Sequence, residues 1–487
     1  MFERGAPPTM QPPTAGRSSP RSTTQRPSSS PSPSYTPSTN RFSSTRRPKP
    51  TKRPRSTRRP KPTKRPRSTR RPKPTKRPSS TRRPKPTKRP SSTRRPKPTK
   101  RPSSTRRPKP TKRPKSTPPP KPTTAGKYNY NEVLKLSILF YEAQRSGKLP
   151  RNNRVKWRKD SALKDKGVDG EDLTGGWYDA GDYVKFGFPM ASSVTVLAWG
   201  LVEYKQAYVA AEFEKYERFP IKVGDGDLDH DYWGRPEDMT MNRPAFKICP
   251  KKPGSDLAAE TAAALAAASI AFKGRKGYAK NLLLHAKQLY EFADNHRGVY
   301  SDSIPNAAKF YKSWSGYKDE LVWEQLGCTE QRRNLLILQR PSDLLAAWAF
   351  SWDDKRAGVQ LLLAQLTKKE SYEADIKKSL DAWLPGGTVK YTPKGLAWRI
   401  KWGSNRYAAN TAFLALVAAD HGITPAAYRD FATKQIHYML GDTGRSFVVG
   451  FGKTPPQRPH HRSSSCPSAP ERCDKSNIDD PEPMHTF

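Results

Sequence analysis

The stretch Asp172 to Met190, DLTGGWYDAGDYVKFGFPM, carries two carboxylates three residues apart, Asp179 and Asp182. Gly175, Gly176 and Gly181 loosen its backbone, and Trp177, Tyr178, Tyr183, Phe186 and Phe188 surround the acids. Carboxylates among aromatic rings are what hydrolysis of a glycosidic bond requires: one group activates water while flat rings stack on sugar faces. The same text also fits an Asx-rich turn or a calcium loop. A second stretch, Val223 to Arg243 (VGDGDLDHDYWGRPEDMTMNR), adds Asp225, Asp227, Asp229, His230, Asp231, Trp233, Glu237 and Asp238. It lacks EF-hand spacing, so metal binding is the weaker reading, whereas His230 and Trp233 suit sugar hydroxyls and rings. In a third, Phe447 to Ser465 (FVVGFGKTPPQRPHHRSSS), His460, His461 and Arg462 follow a Pro-rich run. HEXXH spacing is absent and adjacent histidines point apart, which leaves polar substrate contacts or a solvated basic loop. In a fourth, WRIKWGSNRYA, Trp398 and Trp402 are sugar platforms or core residues, and Gly403-Ser404 sets Trp402 where a loop enters a helix. No metal site is expected, although calcium stays open.

The elements that must position these loops are helical. Apolar residues at helical spacing predict helices over Asn131–Gln144, Met190–Tyr208, Asp256–Phe272 with Ser255 as cap, Tyr278–Asn295 and Leu344–Phe350. Further helices are expected at Ala357–Leu366, Ser371–Trp383 and Ser404–Asp420 with Gly422 just beyond. Another starts at Thr424-Pro425 and ends before Gly441. Strand-like alternation is scarce; Phe447–Val449 is the one short candidate. The expected body is an all-α array whose long loops carry the function. Cysteines stand at 249, 328, 466 and 473; Cys466 and Cys473 could close a short loop, but pairing is not settled by spacing.

Charge divides the chain in two. The 487 residues carry a net +47, yet residues 1–126 hold 39 Lys+Arg and one acid, leaving only +9 for residues 127–487. The first part also holds 31 of the 50 prolines. From Ser44 a twelve-residue unit (STRRPKPTKRPR, then close variants) repeats six times. It has no apolar face to bury, so residues 1–126 are expected to be a disordered, extended tail. Such a tail can bind polyanions through counterion release, but without interleaved aromatics a nucleic-acid partner is disfavoured. No run of about 18 apolar residues occurs, so no membrane partner is expected. The N-terminus shows no apolar signal region.

Taken together, DLTGGWYDAGDYVKFGFPMA, VGDGDLDHDYWGRPEDMTM, PGSDLAAETAAALAAASI, YKDELVW, FSWDDKRAGVQLLLAQL and YMLGDTGRSFVVGFGKTPPQRPHHRSSS resemble glycoside hydrolase family 9, the endoglucanases. The resemblance runs from about Lys127 to Cys473 and makes residues 127–487 the catalytic domain. It implies an (α/α)6 barrel, incomplete here, and inverting cleavage of internal bonds in cellulose or another β-1,4-glucan. It implies Asp182 as the base, Asp179 as a second holder of the water, and His460 as the active-site histidine. Trp177, Tyr178, His230, Trp233, Trp402 and Arg462 become substrate contacts. It also implies secretion and no obligatory cofactor.

The chain departs from the family pattern in several places. The D-x-x-x-x-Y-x-x-N-E segment that carries the family's general acid has no counterpart in PSAPERCDKSNIDDPEPMHTF. The stretch from Tyr208 to Phe219 is short, and EQLGCTEQRRNLLILQRPSDLLAA does not match the expected helix pair. Thr454 stands where the family has asparagine. The expectation is therefore a C-terminally truncated endoglucanase of poor activity. A non-catalytic β-glucan-binding protein of the same fold and a polyanion-binding protein acting through its tail are the alternatives.

Overall fold

The computed structural model describes residues 126–210, 223–327, 347–457 and 461–477. The basic repeats lie outside these residues, so their expected disorder is not addressed by it.

The described chain is helical. In order come α1 (Tyr130–Ala143), α2 (Gly187–Glu203), α3 (Lys205–Ala210), α4 (Gly226–Asp231), α5 (Ser255–Ala271), α6 (Lys276–Asn295) and α7 (Tyr300–Ser303). Then follow α8 (Pro305–Tyr311), α9 (Lys318–Gly327), α10 (Arg356–Thr367), α11 (Glu370–Asp381), α12 (Ser404–Asp420), α13 (Pro425–His437) and α14 (Arg462–Ser465). A small antiparallel pair, β1 (Lys390–Tyr391) and β2 (Ala397–Trp398), sets Lys390 opposite Trp398 and Tyr391 opposite Ala397. Among the described residues no helix is long and apolar enough to cross a membrane.

The Ala-rich α5 is the hub, packing against α2, α6 and α9. Ala258, Ala259, Ala262, Ala263, Ala264, Ala266 and Ala268 are all buried, and their small side chains let neighbouring backbones approach. A second body of core joins α2, α9, α10, α11, α12 and α13 around Trp199, Trp323 and Phe350. There Trp199 meets Trp323 edge-on at 5.5 Å and Phe413 at 5.1 Å.

Ser255 is not a side-chain cap. It is the first residue of α5, and its hydroxyl donates to the carbonyls of Ala293 (2.7 Å) and His296 (3.2 Å), tying the start of α5 to the end of α6. The predicted helix at Leu344–Phe350 is not found in its described part: residues 347–350 are irregular, though Ala349 and Phe350 are buried. Their apolar character serves tertiary packing, which periodicity cannot distinguish from a helix face. Phe447–Val449 is a bend, not a strand. The Ser446 hydroxyl accepts the Val448 N–H at 3.0 Å, and Gly450 follows in the left-handed region at φ 73°.

Candidate active site

The loop carrying Asp179 and Asp182 has almost no ladder to hold it. It is strapped down by buried polar side chains instead. Lys185 is buried; its ammonium donates to the carbonyls of Leu173 (2.7 Å) and Gly175 (2.9 Å) and pairs with Asp165 at 2.7 Å. Burial pulls the Lys185 ammonium below its ordinary range, and Asp165 opposes that. Arg243 grips both oxygens of Asp165, at 2.7 and 3.0 Å, and donates to the Tyr183 carbonyl at 2.8 Å. Gly147 is required here: a Cβ would fall 2.4 Å from the Gly175 nitrogen. Between the two acids Ala180 sits at φ 47°, and the Asp182 N–H closes the turn on the Asp179 carbonyl at 2.8 Å.

Asp179 accepts a 2.5 Å hydrogen bond from the Tyr311 hydroxyl at the end of α8. Burial, joined by the charges of Asp182 and Asp229, pushes its carboxyl up to about 7, while Tyr311 and Arg406 work against the rise. Asp182 retains 23% of its side-chain surface. It accepts from Arg462 Nη2 at 3.2 Å and meets His230 Nε2 at 3.4 Å.

Arg462 is buried and spends every donor. Nε donates to the Gly181 carbonyl at 2.8 Å, and Nη1 to the carbonyls of Asp229 (2.6 Å) and Tyr232 (2.7 Å). Nη2 reaches Asp182 and the buried carboxylate of Asp229, and the guanidinium lies 4.6 Å from the Tyr183 ring centroid. Asp229 in turn accepts the Tyr183 N–H at 3.0 Å. Burial raises the Asp229 carboxyl, with Arg462 opposing. The hydrogen bond to Asp182 raises the half-exposed His230. Asp182, Asp229 and His230 bring ligand atoms within 4.8 Å of one another. They do not fit a cation, because the permanently charged Arg462 already occupies both carboxylates.

Asp179, Asp182, His230 and Arg462 thus converge. Trp233 is half-buried on the same stretch as His230, and Trp402, 76% exposed, stands free before α12. Trp177 and Tyr178 are corrections: at 6% and 2% exposure they are interior, with the Tyr178 hydroxyl on Ser161 at 2.8 Å. Rings so little exposed have no face to offer a sugar. His460 lies outside the described residues. Sequence spacing does not mark Tyr311 or Arg406, because a lone tyrosine ending a short helix gives no pattern. Cys466 and Cys473 form a disulfide, and the loop it closes is docked by Arg235 on the carbonyls of Pro467 and Glu471.

Helices paired around small-residue contacts, with paired aspartates on a strapped loop between them, define an (α/α)6-barrel protein of the glycosidase type. The sequence profile of glycosyl hydrolase family 9 matches residues 130–218 and 209–485, and the chain belongs to that family. Endoglucanase 4 of Bacillus sp. (strain KSM-522) is 50% identical over 377 residues, covering 69% of this chain and 59% of that protein. Endoglucanase B of Cellulomonas fimi is 47% identical over 381 residues, 70% of this chain and 36% of the relative. This chain spans about half the length of the curated relatives it matches. Among solved structures, the endoglucanase of the termite Nasutitermes takasagoensis is 49% identical with a TM-score of 0.69, covering 73% of this chain and 88% of that one. An endoglucanase of Clostridium thermocellum complexed with cellotetraose is 38% identical with a TM-score of 0.60, covering 69% and 61%.

Proposed function

We propose that this chain is an endo-β-1,4-glucanase that hydrolyses internal bonds of cellulose or a related β-1,4-glucan with inversion. The observation that carries the reading is the Asp179–Asp182 pair, one acid hydrogen-bonded to Tyr311 and the other fixed between Arg462 and His230. Asp182 is the base that takes a proton from water, and Asp179 is the second group that orients that water. Arg462 holds the Asp182 carboxylate in place. Trp402, Trp233 and His230 contact the glucan. None of the described residues is assigned the general acid's role.

Acid assistance contributes about 10² to 10⁴ in rate, so the test uses a leaving group that needs little of it. Purified chain should release dinitrophenol from dinitrophenyl β-cellotrioside, and Asp182→Asn should abolish the release. The first-formed cellotriose should be the α-anomer by NMR. Turnover insensitive to Asp182→Asn, or a β-anomeric product, overturns the proposal. Cellopentaose binding without turnover would make the protein a glucan-binding member of the fold.

A further inference from the structure

Gln144 follows directly on α1, is 3% exposed, and belongs to the stretch YEAQRSGKLP. Its amide joins two loops that meet at Asp182. Nε2 donates to the carbonyl of Tyr178 at 3.3 Å and to that of Ala180. Oε1 faces Nε2 of the buried His461 at 2.5 Å. The orientation is self-consistent. The other His461 nitrogen, Nδ1, accepts the Ser464 N–H at 3.3 Å, so the proton sits on Nε2 and the glutamine oxygen must face it. A flipped amide would press its oxygen against two carbonyls. The Gln144 backbone repeats the connection, its carbonyl accepting the Tyr178 N–H at 2.8 Å.

What the amide joins matters more than how well it is satisfied. Ala180 is the left-handed residue between Asp179 and Asp182. His461 immediately precedes Arg462, whose guanidinium grips Asp182 and the Gly181 carbonyl. Two loops nearly 300 residues apart in the chain must therefore keep one register for the Asp182–Arg462 contact to exist, and one side chain touches both.

We propose that Gln144 is a positioning residue: it clamps the Asp179–Asp182 turn to the His461–Arg462 segment and so fixes Asp182 relative to its guanidinium partner. The proposal rests on reading Asp182 as the base. Misplacement by about 1 Å can cost on the order of 10²-fold in rate.

The test compares Gln144→Ala and Gln144→Glu with the parent chain on dinitrophenyl β-cellotrioside across pH. Gln144→Ala should lower kcat about 10- to 100-fold at every pH while KM moves less than about threefold. Gln144→Glu puts a carboxylate oxygen against the two carbonyls when ionised and regains one donor when protonated. Its kcat relative to the parent should therefore fall with rising pH, a new titration that a simply loosened fold would not show. A Gln144→Ala kcat within twofold of the parent, or a Gln144→Glu ratio flat with pH, overturns the proposal. A readout independent of turnover separates its failure from that of the glucanase reading. In ¹⁵N-histidine spectra, the signal removed by His461→Asn should report the Nε2–H tautomer in both proteins, fixed by the Ser464 N–H, with the hydrogen-bonded Nε2–H shift of the parent lost in Gln144→Ala. If that signal is the same in both, the clamp is refuted whatever the activity.

Discussion

Arg462 offers the sharpest test of the site's electrostatics. Arg462→Met keeps a long side chain but removes five hydrogen-bond donations, to Gly181, Tyr232, Asp182 and, twice, Asp229. It strands Asp229, whose side chain is only 1% exposed. Removing one partner of a buried ion pair costs about 3 to 5 kcal/mol, chiefly because the remaining charge stays buried and alone. About 4 kcal/mol corresponds to a fall in Tm of about 8 °C, using the lower end of the scaling for larger domains. Arg462→Lys keeps the charge but not the planar fork, and should lose roughly half as much. The sign of the pH dependence follows from Asp229. Its folded pKa is already raised by burial, and Arg462 is what restrains the rise. Without Arg462 the folded pKa climbs further above the unfolded value of about 3.9. Stability tied to the protonated acid is complete below that value and is lost as pH rises towards the folded pKa. The parent–variant gap should therefore be small near pH 4 and full near pH 7, measured by scanning calorimetry at both. A gap under 2 °C at pH 7, or one equal at both pH values, would refute the assignment of Arg462 as counter-ion to a buried acid.

Tyr311→Phe removes the donor that restrains Asp179, so that carboxyl should titrate above about 7 and the acid limb of the kcat profile should move to higher pH. A limb that stays or moves down contradicts this. Trp402→Ala should weaken cellopentaose binding about two- to tenfold in calorimetric titration, because stacking on an aromatic face is worth about 0.5 to 1.5 kcal/mol, with Tm unchanged for so exposed a ring. A loss below twofold would remove Trp402 from the glucan path.

Much of the helical frame was legible because its signals are local. The helix over Ser404–Asp420 runs between its predicted bounds, and the turn from Thr424 into Pro425 starts α13 as expected. Asp179, Asp182, His230 and Arg462 were legible as chemistry because acids, glycines and rings crowd short stretches. What was not legible depends on which way a side chain faces. Trp177 and Tyr178 adjoin the acids in sequence but turn into the core. Tyr311 reaches Asp179 from 132 residues away. Ser255 has the residue type of a cap, yet it bonds across to α6 because that helix ends beside it. Burial and long-range partners decide these cases, and neither is written in the spacing of residues along the chain.

The strap of Lys185, Asp165 and Arg243 under the Asp172–Phe186 loop has a consequence for how such a protein can change. The helices are held by alanine and aromatic packing, and the loop by a small polar cage. Buried ion groups of this kind contribute little net stability, and apolar replacements of like volume are often tolerated or even stabilising. Shape and chemistry are thus written in separate residues. A descendant could keep every helix and lose catalysis by changes confined to the cage, or vary its core widely with the acids undisturbed. Thermal robustness alone would therefore say little about whether the acids are still held in place.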